Sequence, residues 1–287
     1  MLYVEYLPKS TLSRHVECFW ELDFAPDDLR GQFEMLSPDC TYDIIFSTEN
    51  LSFRPINAST WQKIPTGAAF MGQRTSSIQY KVTRPVKIFG IRFKPFAFWN
   101  LIPFPLYKLN DKAFSLTDIF EITPLCNQLI KRILSGSEVQ AKMELSEQLM
   151  LNISKDNLIV DPMLRDQVNY ILERKGILRV NEMYSEFGIS KVGLRNNFIN
   201  KIGLTPKKVS QIWRLNDFLY LQQNTSCQNL TQLGLDAGFY DQAHFIKEFK
   251  SFFHCSPLHF FKNEHHLLKI SQETISKRLF NVYDPVN

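Results

Sequence analysis

Cysteine is scarce in this 287-residue chain, and the five present (Cys18, Cys40, Cys126, Cys227, Cys255) form no CxxC pair. A scattered, odd set fits reduced thiols and argues against a disulfide framework or a zinc ribbon. No run of ~18 apolar residues occurs, so no segment reads as a membrane span. The opening "MLYVEYLPKS" lacks a charged segment followed by an apolar one. A secretory leader is therefore not expected, and the reading is a cytoplasmic protein. No glycine-rich loop follows a strand, which removes the cradle that phosphate chemistry needs. His265 and His266 stand beside Glu264, but adjacent side chains on a helix end diverge and no cysteine cluster joins them. Neither a metal nor a cofactor is expected. His15, Glu17 and Cys18 raise a Cys–His nucleophile, yet strand alternation puts Glu17 and Cys18 on opposite faces, so no catalytic residue is assigned.

Aromatic and aliphatic side chains are abundant, at 44% hydrophobic with 24 Phe. This length and content predict two domains, each with its own core. The formal net charge is only +4, but it is unevenly placed. Between residues 163 and 264 there are 13 Lys+Arg against 9 Asp+Glu, whereas the rest balances at 20 of each. All the surplus positive charge lies in one helical region, weak support for a polyanionic partner.

The first part reads as β-rich. "HVECFWELDF", "YDIIFS", "AAFMG", "SIQYKV" and "VKIFGIRF" are short aromatic and β-branched runs, punctuated by "APDD", "SPDC", "PTG" and "TRP". Such spacing predicts an antiparallel barrel or sandwich. From Ser115 the period becomes helical, with two amphipathic segments broken near Pro124 and at Gly136. "SKDNLIVDP" then reads as a linker. The aromatic run from 80 to 107 (Phe89, Phe93, Phe96, Phe98, Trp99) reads as core, with an effector pocket as its second reading.

An internal repeat in the last third is the most informative feature. "GISKVGLRNNFINKIGLTP" (Gly188 to Pro206) matches "FYDQAHFIKEFKSFFHCSP" (Phe239 to Pro257). Ser190 aligns with Asp241, Leu194 with Phe245, Phe198 with Phe249 and Pro206 with Pro257, each offset by 51. Ser190 and Asp241 are N-cap residues for the helix that follows. Leu194/Phe198 and Phe245/Phe249 are i,i+4 pairs that pack inward. Thr205-Pro206 and Ser256-Pro257 each start a further helix. Upstream of each unit lies a short amphipathic helix, closed by a turn at Gly188 or Gly238. That is the build of a helix-turn-helix, twice over. "PKKVSQIWRLNDFLYLQQ" (Pro206 to Gln223) reads as the helix joining them, with Val209, Ile212, Leu215 and Leu219 as its apolar stripe. A bundle duplicated only for packing does not need both second helices to begin with a cap and expose a polar N-terminal half.

"GFYDQAHFIKEFKSFFHCSP" also closely resembles the second helix-turn-helix of AraC/XylS-type transcriptional regulators, and "ISKVGLRNNFINKIGLTP" the first. The resemblance covers roughly residues 163–262; "SPDCTYDIIF" and "FGIRFKP" more loosely resemble a sensor domain of some members. It implies that each second helix enters a major groove of double-stranded DNA. Carried over by position, Val192, Arg195 and Asn196 face bases in the first unit. Gln242, Ala243, His244 and Lys247 do so in the second. Ser190, Lys191, Asp241 and Lys250 fall to the DNA backbone. Chemistry agrees where it speaks: Arg pairs with guanine, Gln with adenine, and Ala or Val meets a thymine methyl. Asn196 departs from the family's usual arginine, His254 from a glycine that ends the second reading helix, and Phe261 from a common arginine.

The expected fold class is therefore α+β with two domains: a β-rich barrel- or sandwich-like N-terminal domain, then an all-α domain with two helix-turn-helix units joined by a long helix. The expected boundaries are 1–114 for a sensor domain, 115–157 for a helical connector that dimerises, 158–266 for the DNA-binding domain and 267–287 for a tail. The implied function is sequence-specific transcription regulation, not enzymatic, with RNA polymerase, a second copy of the chain and a small-molecule effector as further partners. A DNA-binding module fused to an alkyl-repair-like enzyme is the alternative, but Cys18 and Cys40 are too few and too isolated for its zinc-bound cysteine cluster.

Overall fold

Strand alternation organises the N-terminal half. In β9 (Val86–Phe93), Phe89, Ile91 and Phe93 enter one core while Val86 and Ile88 enter another. A strand with apolar groups on both faces belongs in the middle of a layered structure. It pairs antiparallel with β2 (Val16–Phe24) and β4 (Tyr42–Ser47), every residue of which is buried. β1 (Leu2–Tyr6), β7 (Gly67–Met71) and β10 (Ala113–Ser115) complete a six-stranded sheet of order β1-β2-β9-β4-β7-β10. A second, four-stranded sheet contains β3 (Glu34–Leu36), β5 (Leu51–Pro55), β6 (Gln62–Ile64) and β8 (Ile78–Val82) in the order β3-β8-β5-β6. Of the barrel-or-sandwich expectation, the described residues realise two open sheets. Three edges, β3, β6 and β10, are only three residues long, which leaves little free ladder for another chain to pair with.

The computed structural model describes residues 2–9, 11–28, 33–102, 104–155, 158–225, 229–262, 268 and 269. Cys227, Glu264, His265, His266 and nearly all of the tail expected from 267 lie outside the described residues.

Trp20, Ile45, Met71 and Ile88 of the large sheet meet Leu51, Phe53, Ile64 and Val82 of the small one. The opposite face of the large sheet packs Phe19, Ile44, Phe70 and Ile91 under helices. These are α1 (Leu116–Ile119), α2 (Pro124–Ser135) and α3 (Val139–Ser154). Pro124 marks the break between the first two, and Thr123 caps α2 by accepting from the Cys126 amide. Cys18, Cys40 and Cys126 are buried in three separate cores, far from any shared site. His15 is also buried, and burial pushes its imidazole down to about 4, with Lys94 and Arg14 adding to the effect.

The C-terminal half is helical. It comprises α4 (Pro162–Glu173), α5 (Val180–Glu186), α6 (Lys191–Lys201), α7 (Pro206–Asn224), α8 (Leu230–Asp236), α9 (Gln242–Phe253) and α10 (Pro257–Phe260). Val209, Ile212, Leu215 and Leu219 of α7 are buried as their spacing predicts, with Trp213 and Phe218 between them. Both i,i+4 pairs, Leu194/Phe198 and Phe245/Phe249, are in the same core. Phe261, where the family resemblance leads one to expect arginine, packs against Phe218, Phe249 and Phe260.

Candidate nucleic-acid interface

The pairs α5–α6 and α8–α9 have one build. The Ser190 hydroxyl accepts from the Gly193 amide at 3.0 Å, and the Asp241 carboxylate accepts from the His244 amide at 2.7 Å. The turn before each second helix passes through a left-handed glycine, Gly188 at φ +58° and Gly238 at φ +84°. A Cβ at Gly238 would stand 2.4 Å from Ile177, so backbone angle and space both demand glycine there.

With apolar rows buried, the reading residues named from the sequence point outward. Val192 is 66% exposed, an unusual state for a β-branched apolar side chain, and Arg195 and Asn196 are exposed beside it. Gln242, Ala243, Lys247 and Lys250 are exposed on α9, as is Lys191 on α6. His244 differs. Its Nδ1 accepts from the Tyr240 amide at 3.2 Å, and its Nε2 lies 3.3 Å from Glu248. Both ring nitrogens are engaged, one by Tyr240 just before the helix and one by Glu248 within it, so His244 presents a ring edge and a carbon face. Ser190 and Asp241 likewise spend side-chain oxygens on their caps.

Sequence periodicity does not flag three further features. Tyr240, beside the Asp241 cap, is 87% exposed. Glu248 is buried on the inner face of α9 and accepts from Arg214 at 2.8 Å and 2.9 Å and from Gln211 at 3.1 Å, which ties α9 to α7. A carboxylate on an otherwise aromatic face was the available signal, because such a group is buried only when paired. Third, Arg179, Asn181, Lys207 and Lys247 line a cleft of about 530 Å³ between the two pairs.

The N-terminal half grips these helices from behind. The Tyr42 hydroxyl donates to the Ile202 carbonyl, and Asn110 Nδ2 donates to the Gly203 carbonyl at 2.7 Å, both just past the end of α6. Gly203 has φ +85°, and a Cβ there would crowd Asn110 and Tyr42 within 3 Å. Lys201 pairs with Asp161 and lies over the Trp99 ring at 4.3 Å. Burial alone would raise the Asp161 carboxyl, but Lys201 and the Leu164 amide hold it below its ordinary range. At the end of α9, the Ser77 amide donates to the Phe252 carbonyl at 3.1 Å. Asn216 of α7 donates to the Pro38 carbonyl at 2.9 Å. These contacts fall just past the end of α6, at the end of α9 and on α7, while Arg195 and Asn196 line a cleft with Thr75, Tyr107 and Asn110.

Comparison with known families agrees with this geometry. Residues 183–263 match a family described as "Helix-turn-helix domain". The C-terminal unit carries an AraC-type helix-turn-helix domain. Its matched span runs from within α5 to just past α10 and supports a DNA-binding transcription regulator. Residues 4–115, the two sheets, match a domain of unknown function. No curated protein sequence matches. Among solved structures, ToxT from Vibrio cholerae aligns at 11% identity over 85% of this chain and 98% of that one, with a TM-score of 0.48. ToxT bound to an unsaturated fatty acid aligns at 12% identity over 84% and 94%, with a TM-score of 0.42. ToxT bound to (E)-4-(8-methylnaphthalen-1-yl)but-3-enoic acid aligns at 12% identity over 85% and 98%, with a TM-score of 0.46.

Proposed function

We propose that each chain regulates transcription by reading two successive major grooves, with the N-terminal half of α6 in one and that of α9 in the next. The observation that carries this reading is the shared build of the two pairs: capped start, left-handed glycine turn, buried i,i+4 pair and exposed polar N-terminal half, joined by one continuous helix. At 1.5 Å per residue, the 19 residues of α7 span ~28 Å. With the width of the flanking helices, that suits reading heads one DNA turn (~34 Å) apart. Val192, Arg195 and Asn196 read one box; Gln242, Ala243, His244 and Lys247 read the other. Lys191 and Lys250 neutralise phosphates, while Ser190 and Asp241 serve the backbone contact by holding the first amides of each helix in place.

Residues 158–266 form the DNA-binding domain in this reading. Residues 1–114 sense a small molecule, and 115–157 join two copies in the cytoplasm, where RNA polymerase is met. The test is binding of the full chain to DNA selected from a random pool, with five base pairs then inserted between the two boxes. Half a helical turn moves one box to the far side of the duplex, so most specific affinity should disappear. Undiminished affinity would show that only one helix reads DNA.

A further inference from the structure

The cleft between the two helix pairs is formed by the start of α5, the first half of α7 and the middle of α9. Both flanks are fixed to α7. Ser210 Oγ donates to the Gly176 carbonyl at 2.7 Å, and a Cβ at Gly176 would stand 2.1 Å from the Ser210 carbonyl oxygen. Gly176 also has φ +73°, so only glycine lets the segment leading into α5 lie on α7. On the other flank, the Glu248 carboxylate holds α9 to Arg214 and Gln211. The width of the cleft is therefore set by packed backbone.

Its charge is of one sign. Arg179, Lys207 and Lys247 line it, all exposed, and none forms an ion pair among the described residues. Glu248 is the one carboxylate among the described lining residues, and Arg214, Gln211 and His244 occupy its oxygens. Arg214 and Glu248 cancel, so the three remaining cations set the potential, and the walls focus it into the cleft. Contact with water explains a lone cation on a helix face. It does not explain three, from three elements, gathered at one cleft with no free acid beside them. The cleft also opens on the reading face, because His244 and Lys247 belong both to its lining and to the reading row of α9.

We infer that this cleft seats the phosphodiester backbone of the DNA strand that passes between the two boxes, with Arg179 and Lys207 on its phosphates and Asn181 donating beside them. This deepens the two-groove reading and rests on it. Two heads in successive major grooves leave backbone and minor groove crossing the protein between them. A contact there clamps the middle of the site, so the spacing between the boxes is read along with the boxes. Lys247 stands at the border and keeps its place on the second box.

The full chain on its selected DNA tests the seat. Arg179→Gln and Lys207→Gln should each weaken binding roughly three- to tenfold at about 0.1 M salt, and together lower the salt slope by about 1–2. Lys63→Gln removes an exposed cation from β6 of the small sheet and should leave both unchanged. Replacing phosphates one at a time by uncharged methylphosphonate locates the contact. One or two consecutive positions between the boxes should cost the wild type severalfold and cost the Arg179→Gln/Lys207→Gln chain nothing further. Unchanged affinity and slope in both variants would overturn the seat. So would losses that add at every methylphosphonate position, the mark of diffuse attraction. Pyrophosphate titrated without DNA should bind only at millimolar levels or weaker; a micromolar site lost in Arg179→Gln would make this a free-anion site and overturn the assignment to DNA. The two-groove reading fails separately, on unsubstituted protein, if no sequence is selected or if a five-base-pair insertion costs nothing.

Discussion

The two helix pairs repeat one another in sequence, yet they are anchored by different means. The end of α6 is held by the other half of the molecule, through Tyr42, Asn110 and the Trp99 ring. The body of α9 is held within its own domain, by the Glu248 carboxylate on Arg214 and Gln211. Identical local build therefore does not make identical stability or identical response. A change in the sheets reaches α6 directly, whereas α9 meets it at the Ser77–Phe252 contact and through α7.

The largest effect should come from breaking the internal anchor. Glu248→Ala leaves Arg214 without its partner in a largely buried position and is expected to cost about 3–5 kcal/mol in denaturant unfolding of the C-terminal half. If the loss is under about 1 kcal/mol, α9 does not depend on that pair. Next, the two reading faces should separate in kind. Arg195→Ala is expected to cost roughly 1–3 kcal/mol at one or two base pairs, while Lys250→Ala weakens all sequences alike and lowers the salt slope by about one. Uniform loss in both variants on a randomised library would remove Arg195 as a base reader.

Tyr42→Phe probes the anchor that α9 lacks. Losing its hydrogen bond should cost about 1–2 kcal/mol and speed amide exchange around residues 198–204, with residues 245–253 little changed. Equal acceleration in both helices would mean the two pairs move as one body. The smallest change should be a gain. His254 ends α9 at φ 54°, a left-handed conformation that an L side chain adopts at a cost. His254→Gly is therefore expected to raise stability by about 1 kcal/mol, read as a higher unfolding midpoint, unless the imidazole makes a contact that repays the strain.

Much of the C-terminal domain was legible residue by residue. Caps at Ser190, Thr205, Asp241 and Ser256, starts at Pro206 and Pro257, and glycine turns at Gly188 and Gly238 all stand where the repeat placed them. The candidate reading faces followed, because a helix with a buried i,i+4 row has only one side left for solvent or DNA. His244 was legible as exposed polar surface but not as a ring with both nitrogens engaged, since its partners Tyr240 and Glu248 matter only once the helix exists. Phe89, Phe93 and Phe98 read as core from the sequence, and they fill the core beneath α2 and α3. A small cavity on the other face of β9, beside Ile88 and Arg92, had no signal in the local pattern.

The sequence by itself determined what depends on near neighbours: helix starts and stops, the period of each strand, the 51-residue repeat and the class of domain it builds. Tertiary structure alone decided what depends on partners far apart along the chain. The pairing of Arg74 with Asp39, of Asn216 with Pro38 and of Ser77 with Phe252 joins residues that no local pattern relates. Local propensity acts over a few residues through backbone sterics and amide capping. Which sheet faces which, and which carbonyl meets which amide across them, is set by packing two cores against each other, and that information is held by no single segment.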